Sequence, residues 1–186
     1  MKTMTYEPAL NKAWEEIQGL SAEKAFAVKF FSDEYSVDVL ARKVLSLSCN
    51  VSAKDFVSIL LLHYLQQKLK GLPGLIGEWI SFKELENGDA YYPAFRKRAI
   101  EPIIRKYGSN PQGLFTVLDK GIAKKIDQAD AAVAVEAFAG VPILVEIWKG
   151  DEEFGPEANM LFDRSIVKIF CTEDVAVLGG FVAKDV

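Results

Sequence analysis

The sequence predicts an α+β fold: mainly antiparallel sheet from two strand blocks, packed on a central apolar helix and flanking helices. Three observations predict it. Alternating apolar and polar stretches come in pairs joined by short turns, as in D-A-A-V-A-V-E-A-F followed by V-P-I-L-V-E-I-W around Ala139-Gly140. The run from Phe56 to Leu65 is apolar on nearly every side, the mark of a helix buried on several faces. Strands and helices come in blocks, which fits antiparallel pairing and not βαβ winding.

In chain order, Tyr6, Leu10, Trp14 and Ile17 fall on one helical face that Gly19 ends. Phe26, Val28 and Phe30, then Tyr35, Val37 and Val39, alternate with smaller or polar residues, and Val44 opens a third run. With turns at Ser32-Asp33 and Ala41-Arg42 this is a three-stranded meander; a helix from Ser21 is the alternative for its first strand. Ser52 with Asp55 three residues on predicts the start of a helix over 53–70. G-L-P-G-L-I-G breaks it, and E-W-I-S-F-K-E alternates as a strand. Y-Y-P-A-F-R-K-R-A-I-E-P-I-I-R-K-Y-G predicts a helix that Pro102 kinks or restarts. Asn110-Pro111 opens a further helix through Lys120, closed by Gly121. After the hairpin come strands at Met160-Leu161-Phe162 and Ile166 to Phe170. Thr172 then caps a last helix with Val175, Leu178 and Val182 on one face.

A chain of 186 residues, half of them hydrophobic, forms one domain by default, with two sub-lobes, 1–70 and 71–186, as the alternative. Net charge −4 suits a cytoplasmic protein and argues against non-specific nucleic-acid binding, which needs a basic surface. Two cysteines, Cys49 and Cys171, sit far apart and match no metal or iron–sulfur ligand spacing. The first residues lack the apolar core of a signal peptide, and the apolar stretch Ile59 to Leu62 is far short of the ~20 residues of a membrane span. No export and no membrane partner are expected, and no motif supports a cofactor.

The stretches V-P-I-L-V-E-I-W-K-G-D-E-E-F-G-P-E-A-N-M-L-F-D-R-S and T-E-D-V-A-V-L-G, with L-L-L-H-Y-L and G-E-W-I-S-F-K-E-L-E-N-G-D-A-Y-Y-P-A-F, carry a resemblance. Together they resemble a prokaryotic family catalogued as domain of unknown function 3786, over nearly the whole chain. The resemblance implies a protein of anaerobic bacteria or archaea and an iron–sulfur partner protein, since some members are fused to an iron–sulfur-binding segment. It supplies no catalytic residues. The chain departs from the family pattern at Gly155, where a proline is usual, and at G-I-A-K-K-I-D-Q-A-D, which lacks a glycine pair.

Four acids, Asp151, Glu152, Glu153 and Glu157, crowd the loop after Trp148, and Asp163 ends the next strand. Converging carboxylates suit a hard cation or raise one another's pKa to make a general acid. The spacing does not match the calcium loop D-x-D-x-D-G, and the plainer reading is a solvated turn whose Asp caps its own backbone. Against that plain reading stand Trp148 and Phe154, which bracket the acids and are expected to clamp them into a concave feature. His63 is the single histidine, so multi-histidine zinc sites are excluded, and with no G-x-S-x-G in the chain a serine triad has no support; a core-edge histidine is its plain role. G-L-P-G-L-I-G lacks the phosphate-loop pattern. Arg96, Lys97 and Arg98 follow Tyr91, Tyr92 and Phe95 in a basic, aromatic stretch, but consecutive residues do not share one face of an α-helix. Glu173 and Asp174 favour the start of the last helix.

The reading these residues support first is a binding or accessory domain for a small molecule or cofactor. Its ligand site would draw on Trp148, Asp151, Glu152, Glu153, Phe154, Asp163 and His63, in a pocket of the hairpin, the acidic loop and the apolar helix. The alternatives are a metal-assisted hydrolase or transferase built on Asp151, Glu152, Glu153 and Asp163, and a protein-interaction module docking through the basic helix 93–107.

Overall fold

Hydrophobic alternation builds two antiparallel sheets in the computed structural model, which describes residues 6–186: one of three strands and one of five. The chain divides into two compact units, one ending at Pro73 and the other running from Gly74 to Val186. The reading of the first five residues as lacking a signal-peptide core lies outside the described residues.

In the N-terminal unit, α1 (Glu7–Leu20) buries Ala13, Trp14 and Ile17 on the face that the spacing predicts. The meander of β1 (Ala25–Phe30), β2 (Asp33–Asp38) and β3 (Lys43–Ser46) follows, with Val28 opposite Tyr35 and Val37 opposite Val44. Val28, Phe30, Val37 and Val44 turn inward, so the first segment is a strand and not the alternative helix. Asp33 locks the far end: its carboxylate accepts from the hydroxyls of Ser46, at 2.7 Å, and Ser48.

The long helix α2 spans Asp55–Gly71 and packs on α1, with the Gln66 side chain donating to the Ala13 carbonyl at 3.2 Å. It starts two residues later than Ser52 predicts. Ser52 bridges Leu45, the Ser46 amide donates to Val51 and the Ala53 amide to Val44, so this segment extends the edge of β3. A backbone already paired in a ladder is not available to open a helix.

In the C-terminal unit, β4 (Trp79–Ser81) pairs with β8 (Glu157–Asp163), β8 with β7 (Val141–Trp148), β7 with β6 (Ala131–Phe138) and β6 with β5 (Ala123–Ile126). β4 is short because Phe82–Glu84 turns into a 3₁₀ segment, capped by Ser81 and Glu84. Helices α4 (Glu101–Tyr107) and α5 (Thr172–Asp185) pack with the sheet, and α3 (Gly88–Phe95) packs on α5 and reaches the sheet through Phe95 against Phe162. Val175, Leu178 and Val182 of α5 are fully buried, as their spacing predicts. Gly179 lets α5 approach closely: a Cβ there would stand 2.5 Å from a Phe95 ring carbon.

Two elements differ in type from expectation. The helix opened by Pro111 is a 3₁₀ helix through Lys120; it ends at Gly121 in the left-handed conformation. Ile166 to Phe170 is not a strand, because Arg164–Lys168 form a 3₁₀ turn whose first amide, from Ser165, is held by the Asp163 carboxylate.

Tyr107, on α4, is 4 % exposed, and its hydroxyl has no hydrogen-bond partner among the described residues. A buried hydroxyl without a partner is destabilising. Tyr107→Phe is therefore expected to raise stability by about 1 kcal/mol in urea unfolding. A loss instead would show that the hydroxyl is hydrogen-bonded in solution.

Candidate functional site

The acidic loop is closed on itself. Asp151 accepts from the amides of Glu153 at 2.8 Å and Phe154 at 2.7 Å, and its own amide donates to the Phe154 carbonyl at 2.8 Å. These bonds, the Phe154 amide first and the Glu153 amide next, hold the Asp151 carboxyl below the ordinary aspartate value. A general acid needs the opposite shift. Glycine at 150 is required by the tight return of the loop, since a Cβ there would meet Pro156 N at 2.8 Å.

The expected aromatic clamp does not form. Trp148 is half-buried at the end of β7, paired with Glu157, but Phe154 is 70 % exposed. Glu152, Glu153 and Glu157 are also exposed. Asp163 stands at the opposite end of β8 from Glu157, so six residues of extended chain, about 20 Å, separate it from the loop. Among the described residues no group of three or more His, Cys, Asp and Glu side chains is placed to hold a metal ion.

Asp163 has a different role. It is 4 % exposed and accepts from the amides of Ile76 at 3.0 Å, Gly77 at 2.7 Å and Ser165 at 2.9 Å. Burial works against its charge, yet the hydrogen bonds from the Ser165 side chain and from the Ile76, Ser165 and Gly77 amides together leave its pKa below the ordinary value. Beside it the Arg164 guanidinium grips Glu78 at 2.5 and 2.7 Å. The glycine-rich stretch before β4 is thus tied to β8 by a carboxylate that reads local amides, not a ligand.

His63 lies half-buried on α2, in the N-terminal unit, whereas the acidic loop and Asp163 belong to the C-terminal one. Of the two thiols, Cys171 opens α5 with its sulfur 3.2 Å from an Asp174 carboxylate oxygen. Partial burial of the sulfur, although the residue as a whole is exposed, and then the Asp174 charge push this thiol up to about 12, opposite to what a nucleophile requires.

The basic helix changes character where the sequence predicts a break. Pro102 sits in the first turn of α4 and has no amide hydrogen to donate backwards. The chain widens into a π turn over Arg96–Ile100, closed by the Glu101 amide donating to the Arg96 carbonyl. Ala99 and Ile100 of this turn are buried, while Arg96, Lys97 and Arg98 are exposed, with no ion-pair partner among the described residues. A wider turn reduces the angular step between successive side chains below the ~100° of an α-helix. The three cations therefore spread over a narrower arc than an α-helix allows. Tyr91, 51 % exposed, stands one turn before them, and the Lys83 ammonium lies 4.4 Å from the centre of the Tyr92 ring. Lys106 is not available to this surface, because its ammonium donates to the Val186 carbonyl at 2.6 Å.

Among the described residues no helix is long and apolar enough to cross a membrane. Neither a curated protein nor a solved structure matches the chain. Residues 10–185 match the family model described as Domain of unknown function (DUF3786), and the chain belongs to that family.

Proposed function

We propose that the protein is an interaction module that docks an acidic segment of a partner protein on the face carrying Arg96, Lys97 and Arg98. The observation that carries this reading is the π turn, which displays three consecutive unpaired cations beside an exposed tyrosine. π turns are rare and occur frequently at functional positions. Arg forks suit carboxylates, and the aromatic ring adds contact area at low entropic cost. The overall charge of −4 disfavours a long polyanion such as nucleic acid, whose field acts over the whole surface, more than a short acidic segment engaged locally. The acidic loop takes no part in this reading, because its central carboxylate is spent on its own backbone.

The test uses a fluorescein-labelled glutamate-rich peptide and a labelled oligothymidylate, titrated with the intact protein at low salt. The peptide is expected to bind, and the triple variant R96E/K97E/R98E to weaken it about tenfold or more with an unchanged melting temperature. Equal peptide binding by the triple variant would defeat the proposal. Tighter binding of the oligothymidylate than of the peptide would reassign the surface to single strands.

A further inference from the structure

The N-terminal unit carries a groove of about 430 Å³ between the first turns of α1, the β2–β3 turn and the start of α2. That volume falls within the ~300–1,000 Å³ of small-molecule sites. We propose that it binds a small zwitterion bearing an ammonium and a carboxylate, of the α-amino acid type with an apolar side chain. This inference is independent of the basic face of the C-terminal unit.

The wall chemistry carries the assignment. Tyr6, Leu10 and Trp14 line one side, the last two one helical turn apart and Trp14 only 4 % exposed, so the apolar surface is fixed by the core beneath it. Arg42 lies across from them. Its Nη1 donates to Asn11 Oδ1 at 3.2 Å, which anchors the guanidinium and leaves its other donors for a carboxylate. Arg42 also holds φ at +50°, a conformation uncommon for a residue with a side chain. That φ is the left-handed closing residue of the β2–β3 turn, which fixes where the Arg42 side chain leaves the backbone. Glu7 and Asp55 complete the lining, and neither has an ion-pair partner among the described residues. One cation and two carboxylates give the groove a net negative lining. That lining rejects a dianion such as phosphate and accepts an ammonium, with the guanidinium left to take the carboxylate. The exposed Tyr6 ring adds attraction for the ammonium and, with Leu10, area for the apolar side chain.

Isothermal titration of the intact protein tests the inference with three probes. L-leucine carries both charges, isoamylamine lacks the carboxylate and N-acetyl-L-leucine lacks the ammonium. Saturable binding of leucine at millimolar concentration or below is expected, with each analogue at least tenfold weaker. Arg42→Gln keeps the same backbone demand and should weaken leucine about tenfold while leaving isoamylamine unchanged. Asp55→Asn should weaken leucine and isoamylamine but not N-acetyl-leucine, which keeps the test informative should the Arg42 variant melt early. No saturable heat with leucine, equal affinity for leucine and isoamylamine, or unchanged leucine affinity in both variants would overturn it.

Discussion

Gly88→Ala is expected to destabilise the C-terminal unit by about 3 kcal/mol, at the upper end for one inserted methyl group. Gly88 opens α3 directly after Asn87, which holds φ at +56° and turns the chain out of the 3₁₀ segment Phe82–Glu84. A Cβ built on Gly88 would lie 2.0 Å from the Phe82 carbonyl oxygen and 3.0 Å from its carbon. Both are backbone atoms, so no rotamer change relieves the overlap; the segment or the helix must move. Phe82 is fully buried, with its ring stacked on Phe95 at 4.0 Å, and Phe95 in turn touches Phe162 of β8. Movement therefore breaks a packed aromatic row, not a surface turn. Gly180→Ala is the matched control. Nothing lies within 4 Å of the Cβ it would add in α5, so it should stabilise by about 0.5–1 kcal/mol through helix propensity. Urea unfolding of the two variants, followed by tryptophan fluorescence in a Trp14→Phe background so that Trp79 and Trp148 of the C-terminal unit report, should give opposite signs. Gly88→Ala should also weaken peptide binding, because α3 leads directly into the π turn. A Gly88→Ala midpoint equal to that of the parent protein would show that the Phe82 carbonyl does not approach as drawn.

Periodicity makes most of the scaffold legible in the sequence. The β6–β7 hairpin, the meander and the inward row Val175, Leu178 and Val182 follow from alternation or helical spacing alone, because burial of one face is what those patterns encode. β5 has no such signal: Ala123–Ile126 contains two lysines and has no pattern of its own, and it is a strand only because β6 offers an edge to pair with. Ile166 to Phe170 shows the converse. Its apolar run suggests a strand, yet the Asp163 carboxylate captures the Ser165 amide and winds the chain into a 3₁₀ turn.

The site was less legible for a related reason. Carboxylates near one another in sequence suggest convergence, but whether they converge depends on which backbone amides they find first. Asp151 finds those of Glu153 and Phe154, and Asp163 finds those of Ile76 and Gly77, so neither is left to gather a cation. The D-x-S pattern at Asp163 and Ser165, with a glycine-rich stretch elsewhere in the chain to supply amides, was the available signal. Consecutive Arg96, Lys97 and Arg98 are incompatible with one surface in a regular α-helix. Pro102, already recognised as a break, is the residue that alters the geometry. Arg42, Asn11 and Asp55 carry no local pattern at all, and only tertiary structure brings them to one groove.

Asp163→Asn is expected to cost about 2–4 kcal/mol at neutral pH although it changes no volume. The native carboxylate accepts on both oxygens, Oδ1 from Ile76 and Ser165 and Oδ2 from Gly77. An amide keeps one acceptor and must turn its NH₂ group toward at least one of those donors, which leaves a polar group unmatched near the core. The pH dependence follows from the direction of the shift. The folded pKa lies below the unfolded value of about 3.9, so this stabilisation is complete above that value and is lost as pH falls through the folded pKa. The stability difference between parent and Asn variant should therefore be constant near neutrality and shrink below about pH 4. Asp33, Glu78 and Asp151 also have lowered values, so both proteins keep some acid sensitivity, and the difference between them isolates Asp163. Hydrogen exchange supplies a local readout: the Ile76 and Gly77 amides should lose protection in the variant, while amides of the β6–β7 hairpin change only with global stability. Unchanged protection at Ile76 and Gly77, or a stability difference that persists undiminished into acid, would show that the carboxylate does not hold this stretch to β8.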